Sequence, residues 1–452
     1  MSVKLKTLGA AGTVTGSKHL LSLGDYKILI DCGLYQGLKE DVRKNWDELD
    51  VNVSHINAII ITHAHLDHTG YLPKLIKDGF HGKIYASSIT CELTEIILKD
   101  SAEIQMSDAH KLLNQRNNPM AKPLYNTNDI SFTMKHFHAL ELETPIELGP
   151  FTVKLYHAGH IPGAVSVGIK WDGSDILFSG DLGRNDDILT TGPKIEDSYQ
   201  SIVIESTYGG INHPVASQTK DLTEVLEQIH ATQGVLLIPS FSMARSQILL
   251  HYLKEIFENR PELDMPVYLN SPMAFEINDV FIRNKNHIKM NLKSVIDNFS
   301  SLHICDEHWK AQKLYESTEP KIIISASGML TGGRVMKHFE LLAPDEKNII
   351  FLPGYQGVGT IGDRLLQGEK EFTINQQLFT VSAKIIQSQA FSAHADENGL
   401  VNWLNPSIKT LKDIYLVHGE VDHIDALSKR IAKQFPAVNI HIPKLDSEYI
   451  IN

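Results

Sequence analysis

The sequence predicts an α/β fold in which one α/β unit is interrupted by a second, parallel one. Three observations carry that expectation. Short apolar runs recur, each closed by turn residues. Polar residues gather just past the C-terminal ends of those runs. The texture changes near residue 211, stays regular to about 380, and then returns to the earlier kind.

In chain order, Lys27-Ile28-Leu29-Ile30 ends at Asp31-Cys32-Gly33, and Ala58-Ile59-Ile60-Ile61 ends at Thr62-His63. Asp175-Ile176-Leu177-Phe178 ends at Ser179-Gly180-Asp181, and Ser201-Ile202-Val203-Ile204 ends at Glu205-Ser206-Thr207. These read as buried strands with their chemistry at the C-terminal ends, where α/β proteins place sites. From Ile211 a strand–helix alternation takes over. Leu222, Val225, Leu226 and Ile229 recur at helical spacing within Asp221 to Thr232. Strands are expected at Gly234–Ile238, Pro266–Leu269, Lys321–Ile324 and Asn348–Phe351. The segment after it, with His394 and His418 at run ends, resembles the first part again, so the expected units are 1–210 with 381–452, and an insertion at 211–380.

At 452 residues, two domains or a large insertion are the natural expectation, and 42% hydrophobic with 21% charged residues is a globular composition. A net charge of −12 argues against a protein coated in basic patches, although a local groove and bound cations can outweigh the global sign. The N-terminus lacks an apolar secretory core, and no run approaches the ~20 apolar residues of a membrane span. Cys32, Cys91 and Cys305 lie far apart without a CxxC pair; they read as small buried residues of a chain in the reducing cytoplasm, with no membrane partner.

The sharpest signal is His63-Ala64-His65-Leu66-Asp67-His68, after a strand-like run and before a helical pattern. Zinc binds imidazole nitrogen and carboxylate oxygen at about 2 Å. Histidines at i and i+2 on a strand end can grip one ion from the same side, and the turn that follows lets Asp67 and His68 face a second. Chance clustering among 22 histidines explains four donors in six residues poorly. His136-Phe137-His138 shares the His-x-His spacing but lacks the following Asp-His, and reads as a surface or packing pair.

His-x-His-x-Asp-His resembles the signature of the metallo-β-lactamase superfamily, whose αββα sandwich carries a metal site along one edge. The resemblance extends to His160 in His157-Ala158-Gly159-His160, to Asp181 in Phe178-Ser179-Gly180-Asp181, and to His418 in Leu416-Val417-His418-Gly419-Glu420. It implies that His63, His65 and His160 hold one zinc, that Asp67, His68 and His418 hold the other, and that Asp181 bridges them. Asp31 would support the ligands without binding metal. His157 competes with His160, and only the motif alignment chooses between them. The same donor set accepts manganese or iron.

A narrower likeness comes from the insertion and its flanks. Val203-Ile204-Glu205-Ser206-Thr207 resembles the first motif of the β-CASP nucleases, Phe391-Ser392-Ala393-His394-Ala395-Asp396 the second, and the run around His418 the third. Within the insertion, Ile238–Arg245, Tyr268–Ala274, Ser327–Arg334 and Gly354–Gly362 continue it, so the resemblance covers nearly the whole chain. It is nearest to the branch holding the endonuclease subunit of the cleavage and polyadenylation specificity factor and its short bacterial relatives. The extra C-terminal domain of RNase J and the N-terminal RNA-binding domain of many archaeal relatives are expected to be absent.

The implied activity is hydrolysis of single-stranded RNA in a cleft between sandwich and insertion, internally, from the 5′ end, or both. Two zinc ions activate a water near neutral pH and neutralise phosphate charge. Asp67 and Asp181 join the catalytic set as ligands, while Glu205 orients His394 and His394 protonates the leaving 3′ oxygen. Taken singly, Glu205 could be a surface residue and His394 a helix cap. Ser240, Arg245, Ser327, Gly328, Arg334, Arg364 and Ser392 are the candidate RNA contacts. The glycine-rich loop Ser327–Arg334 fits a phosphate cradle and an ordinary tight turn equally. Relatives imply a homodimer. Rival readings are a DNA nuclease of the same fold, a small-molecule thioesterase or lactamase, and an inactive scaffold; the retention of all seven ligands speaks against the last.

Overall fold

A computed structural model describes residues 2–112, 118–214, 218–374 and 377–451. The chain divides into two compact units, one formed by Met1–Asn212 with His394–Asn452 and the other by His213–Ala393. The return expected at residue 381 therefore shifts to 394. The reason is a strand at Lys384–Ser388 that hydrogen-bonds along Ile349–Pro353 and so belongs to the inserted sheet.

The first unit is built on two seven-stranded sheets. One contains β1 (Val3–Thr7), β2 (His19–Leu23), β3 (Tyr26–Ile30), β4 (Ala58–Ile60), β5 (Lys83–Ser87) and β6 (Phe137–Leu140) in sequence order, with β22 (Glu448–Ile451) outside β1. The other runs β21 (Asn439–His441), β20 (Asp413–Val417), β11 (Ser201–Glu205), β10 (Ser174–Phe178), β9 (Val165–Trp171), β8 (Phe151–His157), β7 (Ile146–Leu148). Side chains alternate across a strand, and this assigns the layers. Ile28, Ile30, Ala58 and Ile60 face Val153, Val167, Ile176 and Val203 of the opposing sheet. Leu29, Ile59 and Ile61 face the other way, onto Leu72, Leu75, Leu98 and Ile130 of the covering helices. Because both faces are buried, these strands read as continuous apolar runs.

The helices start where local chemistry satisfies their first amides. Ser87 accepts from Thr90 N at the head of the helix Ser88–Lys111, and Asn126 and Asp129 form a reciprocal capping box at Thr127–Met134. Helix Val421–Gln434 buries Ile424, Leu427 and Ile431.

The second unit is a six-stranded, wholly parallel sheet, ordered β14 (Leu302–Ile304), β13 (Val267–Asn270), β15 (Lys321–Ser325), β12 (Val235–Pro239), β16 (Ile349–Pro353), β19 (Lys384–Ser388). A hairpin of β17 (Glu371–Ile374) and β18 (Gln377–Thr380) stands apart from it. Helix Pro272–Arg283 follows β13 directly: Ser271 accepts from Ala274 N and Pro272 occupies the first turn, where no amide is needed. Among the described residues, no helix is long and apolar enough to cross a membrane.

Candidate metal centre

The site assembles from strand ends of the first unit. β3 delivers Asp31, whose Oδ1 accepts from Thr62 N (2.8 Å) and Oδ2 from Thr62 Oγ1 (2.9 Å). The same Oδ2 lies 2.7 Å from His68 Nδ1, so Asp31 orients the His68 ring from behind, as supporting carboxylates do. β4 leads into Thr62 and His63, and the short helix Leu66–Thr69 carries Asp67 and His68. Gly33 is required for closeness, since a Cβ there would fall 1.6 Å from the Asp67 carbonyl oxygen. His160 follows β8, Asp181 follows β10, and His418 follows β20. Asp31 (φ 60°), His418 (φ 49°) and Ala10 (φ 53°) all hold the left-handed backbone uncommon outside glycine. Such strain persists where surrounding contacts enforce it; here Ala10 O accepts from His418 N at 2.8 Å.

The donors fall into two groups, His63, His65, His160 and Asp181 in one and Asp67, His68 and His418 in the other, each within 4.8 Å internally. In the first, His63 Nε2 is 3.0 Å from His65 Nδ1, and His160 Nε2 is 3.3 Å from the same atom. Asp181 Oδ2 lies 3.5 Å from His63 Nε2 and 3.7 Å from His160 Nε2. In the second, His68 Nε2 is 3.2 Å from His418 Nε2 and 3.7 Å from Asp67 Oδ2, which is 3.4 Å from His418 Nε2. Asp181 turns its other oxygen this way, with Oδ1 3.3 Å from His68 Nε2. Four ligands about 2 Å from a tetrahedral ion stand ~3.3 Å apart. The observed spacings bracket that edge in both groups, so the donor sets fit divalent cations.

Electrostatics agree with the geometry. Burial holds His63, His65 and His160 well below the ordinary imidazole value, in the neutral form with a lone pair to give. At His68 burial again opposes charge, but Asp181, Asp31 and Asp67 outweigh it and raise the ring well above its ordinary value. The surrounding carboxylates favour positive charge at this point, whether a proton or a cation supplies it.

Glu205 and His394 adjoin this cluster. Glu205, 1% exposed, accepts from Leu182 N (2.6 Å) and Thr207 N (3.3 Å), and its two oxygens lie 3.1 and 3.2 Å from His394 Nδ1. His394 Nε2 is 3.9 Å from Asp181 Oδ2, and its ring packs at 4.3 Å on His160. Burial works against charge on His394; Glu205, with Asp181 and Asp67, prevails and raises it. The helix after it is capped by Asp396, not by His394.

The seven residues expected to touch RNA all lie in the second unit. Ser240 is buried at the end of β12 with its hydroxyl donating to Phe241 O (3.1 Å). Gly328 packs against Phe241, and Ser327 bonds Thr331 Oγ1 at 2.9 Å. The arginines are engaged internally: Arg245 donates to Pro353 O, Arg334 to Asn270 Oδ1, Cys305 O and Asp306 O, and Arg364 to Glu369 while stacking on Phe372. Ser392 is buried. His136 and His138 pack on Phe80 and Tyr85 respectively, and His157 joins neither donor group.

Residues 17–229 match the metallo-beta-lactamase superfamily, 246–365 the Beta-Casp domain, and 379–443 the Zn-dependent metallo-hydrolase RNA specificity domain. Ribonuclease TTHA0252 of Thermus thermophilus is 30% identical over 455 residues, covering 97% of this chain and 98% of that protein. The chain belongs to the β-CASP branch of the metallo-β-lactamase superfamily. Two further relatives of this β-CASP protein are RNase aCSPSF2 of Saccharolobus solfataricus, 30% identical over 99% of this chain and 85% of that one, and transcription termination factor FttA of Methanocaldococcus jannaschii, 27% identical over 96% and 70%. A solved structure from Enterococcus faecalis, of a protein of unknown function, shares the fold at a TM-score of 0.56 and 12% identity over 100% of both chains. The superfamily fold implies divalent metal ions at the cluster. The supports that sequence reading missed are Thr62, Thr207, whose Oγ1 lies 3.2 Å from His418 Nδ1, and the loop 9–17. Only the loop left a trace, the small-residue run Gly9-Ala10-Ala11-Gly12-Thr13-Val14-Thr15-Gly16.

Proposed function

We propose that this β-CASP protein is a zinc-dependent ribonuclease that hydrolyses phosphodiester bonds of single-stranded RNA. One observation carries the reading: an imidazole held by a buried carboxylate adjoins a carboxylate shared by two donor groups. The names of the relatives point the same way. A pair of zinc ions, when bound, supplies a nucleophile near neutral pH and neutralises phosphate charge.

The chain's own residues supply the rest. His63, His65 and His160 would hold one ion and Asp67, His68 and His418 the other, with Asp181 within reach of both groups. Glu205, which accepts from two backbone amides, fixes His394 through Nδ1. Nε2 is then turned towards the reacting phosphate. As the P–O3′ bond breaks, the Nε2 proton passes to O3′, giving a 3′-hydroxyl and a 5′-phosphate. A lactam or thioester hydrolase has less use for such a pair. Ser240, Ser327, Gly328 and Ser392 remain the candidate RNA contacts; Arg245, Arg334 and Arg364 are less suited because their guanidinium groups already have acceptors. A cytoplasmic homodimer belongs to the same reading.

The test compares labelled single-stranded RNA with the matching DNA, using wild type, His63→Ala and His394→Ala, with product ends mapped. The reading expects RNA cut to 3′-hydroxyl and 5′-phosphate ends, with both variants impaired. Cleavage of DNA alone, or turnover of a chromogenic lactam with RNA untouched, overturns it.

A further inference from the structure

We propose that Lys18 is a positioning residue for the second donor group, locking from behind the loop that seats Asp67 and His418. The inference rests on the two-ion reading above and concerns a residue outside the metal and nuclease motifs named above. Lys18 is 1% exposed, and its ammonium has no carboxylate partner among the ion pairs of the described residues. It donates to Gly16 O at 3.2 Å and lies over two rings, 4.8 Å from the centre of Tyr35 and 5.0 Å from that of Tyr71. A buried lysine is rarely tolerated without an anion, and two aromatic faces are a recognised substitute.

What this clamp holds is specific. Gly16 (φ +77°) sits flat on Tyr35, where a Cβ would fall 2.8 Å from the ring. The neighbouring Ser17 donates its N–H to Asp67 O at 2.8 Å, and its own carbonyl accepts from Gly33 N at 3.0 Å. Across the loop, Ala10 N donates to Thr15 O (3.2 Å), and Ala10 O accepts from His418 N (2.8 Å). Two of the three residues of the second group thus hang on the backbone of one small-residue loop, and that loop closes on Lys18. The first group is seated elsewhere. Thr62 Oγ1 contacts His63 Nδ1 at 3.1 Å, and the loop before His160 is pinned by Gly183 N donating to Ala158 O at 2.8 Å. Loosening the lysine clamp should therefore affect one ion and spare the other.

The experiment measures zinc content and zinc affinity of the purified full chain against a competing chelator, with circular dichroism as the fold check. Wild type is expected to bind two ions and His418→Ala one. Lys18→Met, which keeps the stem and removes the charge, should weaken the second ion ~10–100-fold and leave the first unchanged. Lys18→Arg, which restores a cation over the rings, should recover most of the loss. Tyr35→Leu, which keeps the lysine and removes one face, should reproduce the selective weakening and decides the matter if Lys18→Met does not fold. Two ions at wild-type affinity in a folded Lys18→Met or Tyr35→Leu, with His418→Ala down to one, overturns the inference alone. Fewer than two ions in wild type would instead overturn the two-ion reading, and two ions at wild-type affinity in His418→Ala would remove His418 from the second group.

Discussion

The two units finish their strands in opposite ways. In the first, strand ends bury ionisable groups against one another: Asp31, His63, Asp181, Glu205 and His418 are all at most 4% exposed. In the second, the corresponding ends bury hydroxyls and amides, such as Ser240, Asn270, Ser325 and Gln356, and its arginines reach backbone carbonyls and carboxylates nearby. Buried charge without compensation costs several kcal/mol per group, whereas a neutral hydroxyl is satisfied by one hydrogen bond. The contrast shows where cations are needed. Among the described residues, it is the first unit that leaves imidazole nitrogens of His63, His65, His160, His68 and His418 3.0–3.3 Å apart.

The largest effect should come from the one residue that both groups share. Asp181→Asn removes the carboxylate charge from the midpoint, so metal content should fall below two per chain. The loss of several kcal/mol of charge stabilisation corresponds to roughly 10⁴-fold or more in cleavage rate. Metal analysis beside a single-turnover assay checks both; two tightly held ions in this variant would break the contrast between the units. Glu205→Gln should act differently. Its amide oxygen can still accept from Leu182 N, but the charge that orients His394 is lost. The expectation is a roughly 10²–10⁴-fold slower reaction with both ions retained.

A smaller effect concerns Lys18, a buried cation of the first unit. Burial lowers Lys18 to about 8, opposed only by the charge of Cys32. The unfolded chain, near 10.5, then binds more protons than the folded one between pH 8 and 10.5. Stability should therefore rise with pH through that window, relative to Lys18→Met, by about 3 kcal/mol. The groups facing the ammonium, Tyr35, Tyr71 and Cys32, are all raised by burial and are present in both proteins, so the difference isolates the lysine. Chemical denaturation at pH 8 and 10 measures it. A flat difference would mean that the two rings stabilise the ammonium as fully as water does.

Much of this organisation was legible in the sequence because it rests on local patterns. The strands at Lys27–Ile30, Ala58–Ile61 and Lys321–Ile324 appear within a residue or so of their expected bounds, since runs buried on both faces need no long-range information. The cluster His63–His68 announced itself for the same reason. His160, Asp181 and His418 could be chosen only by resemblance, because what unites them is the ordering of strand ends across two sheets. The insertion boundary falls later than expected because β19, a lone Ile-Ile pair between polar residues, carries no mark of either unit, and its pairing with β16 places it in the second. Lys18 was invisible: in a sequence, a lysine before a strand reads as solvent-exposed, and only the rings of residues 35 and 71 make it otherwise.

The smallest expected effect bears on the second unit and on the role first expected of Arg334. Its guanidinium donates to Asn270 Oδ1 (2.9 Å), Cys305 O (2.9 Å) and Asp306 O (3.3 Å), while Asn270 Nδ2 lies 2.8 Å from His338 Nε2. Burial lowers His338 to about 3, so its ring is neutral and accepts from the amide. Arg334 thus ties the ends of β13 and β14 to the helix Val335–Leu342. Arg334→Met leaves those acceptors without their donor. With the group only partly buried, the loss should be about 1–2 kcal/mol in the unfolding of the second unit. RNA affinity of the folded protein should change by less than ~2-fold, because the contacts removed are internal. Equilibrium unfolding and RNA titration at fixed salt separate the two roles. An affinity loss with one phosphate fewer in the salt dependence, at unchanged stability, would place Arg334 on the RNA and make the strand ends of the second unit a charged surface after all.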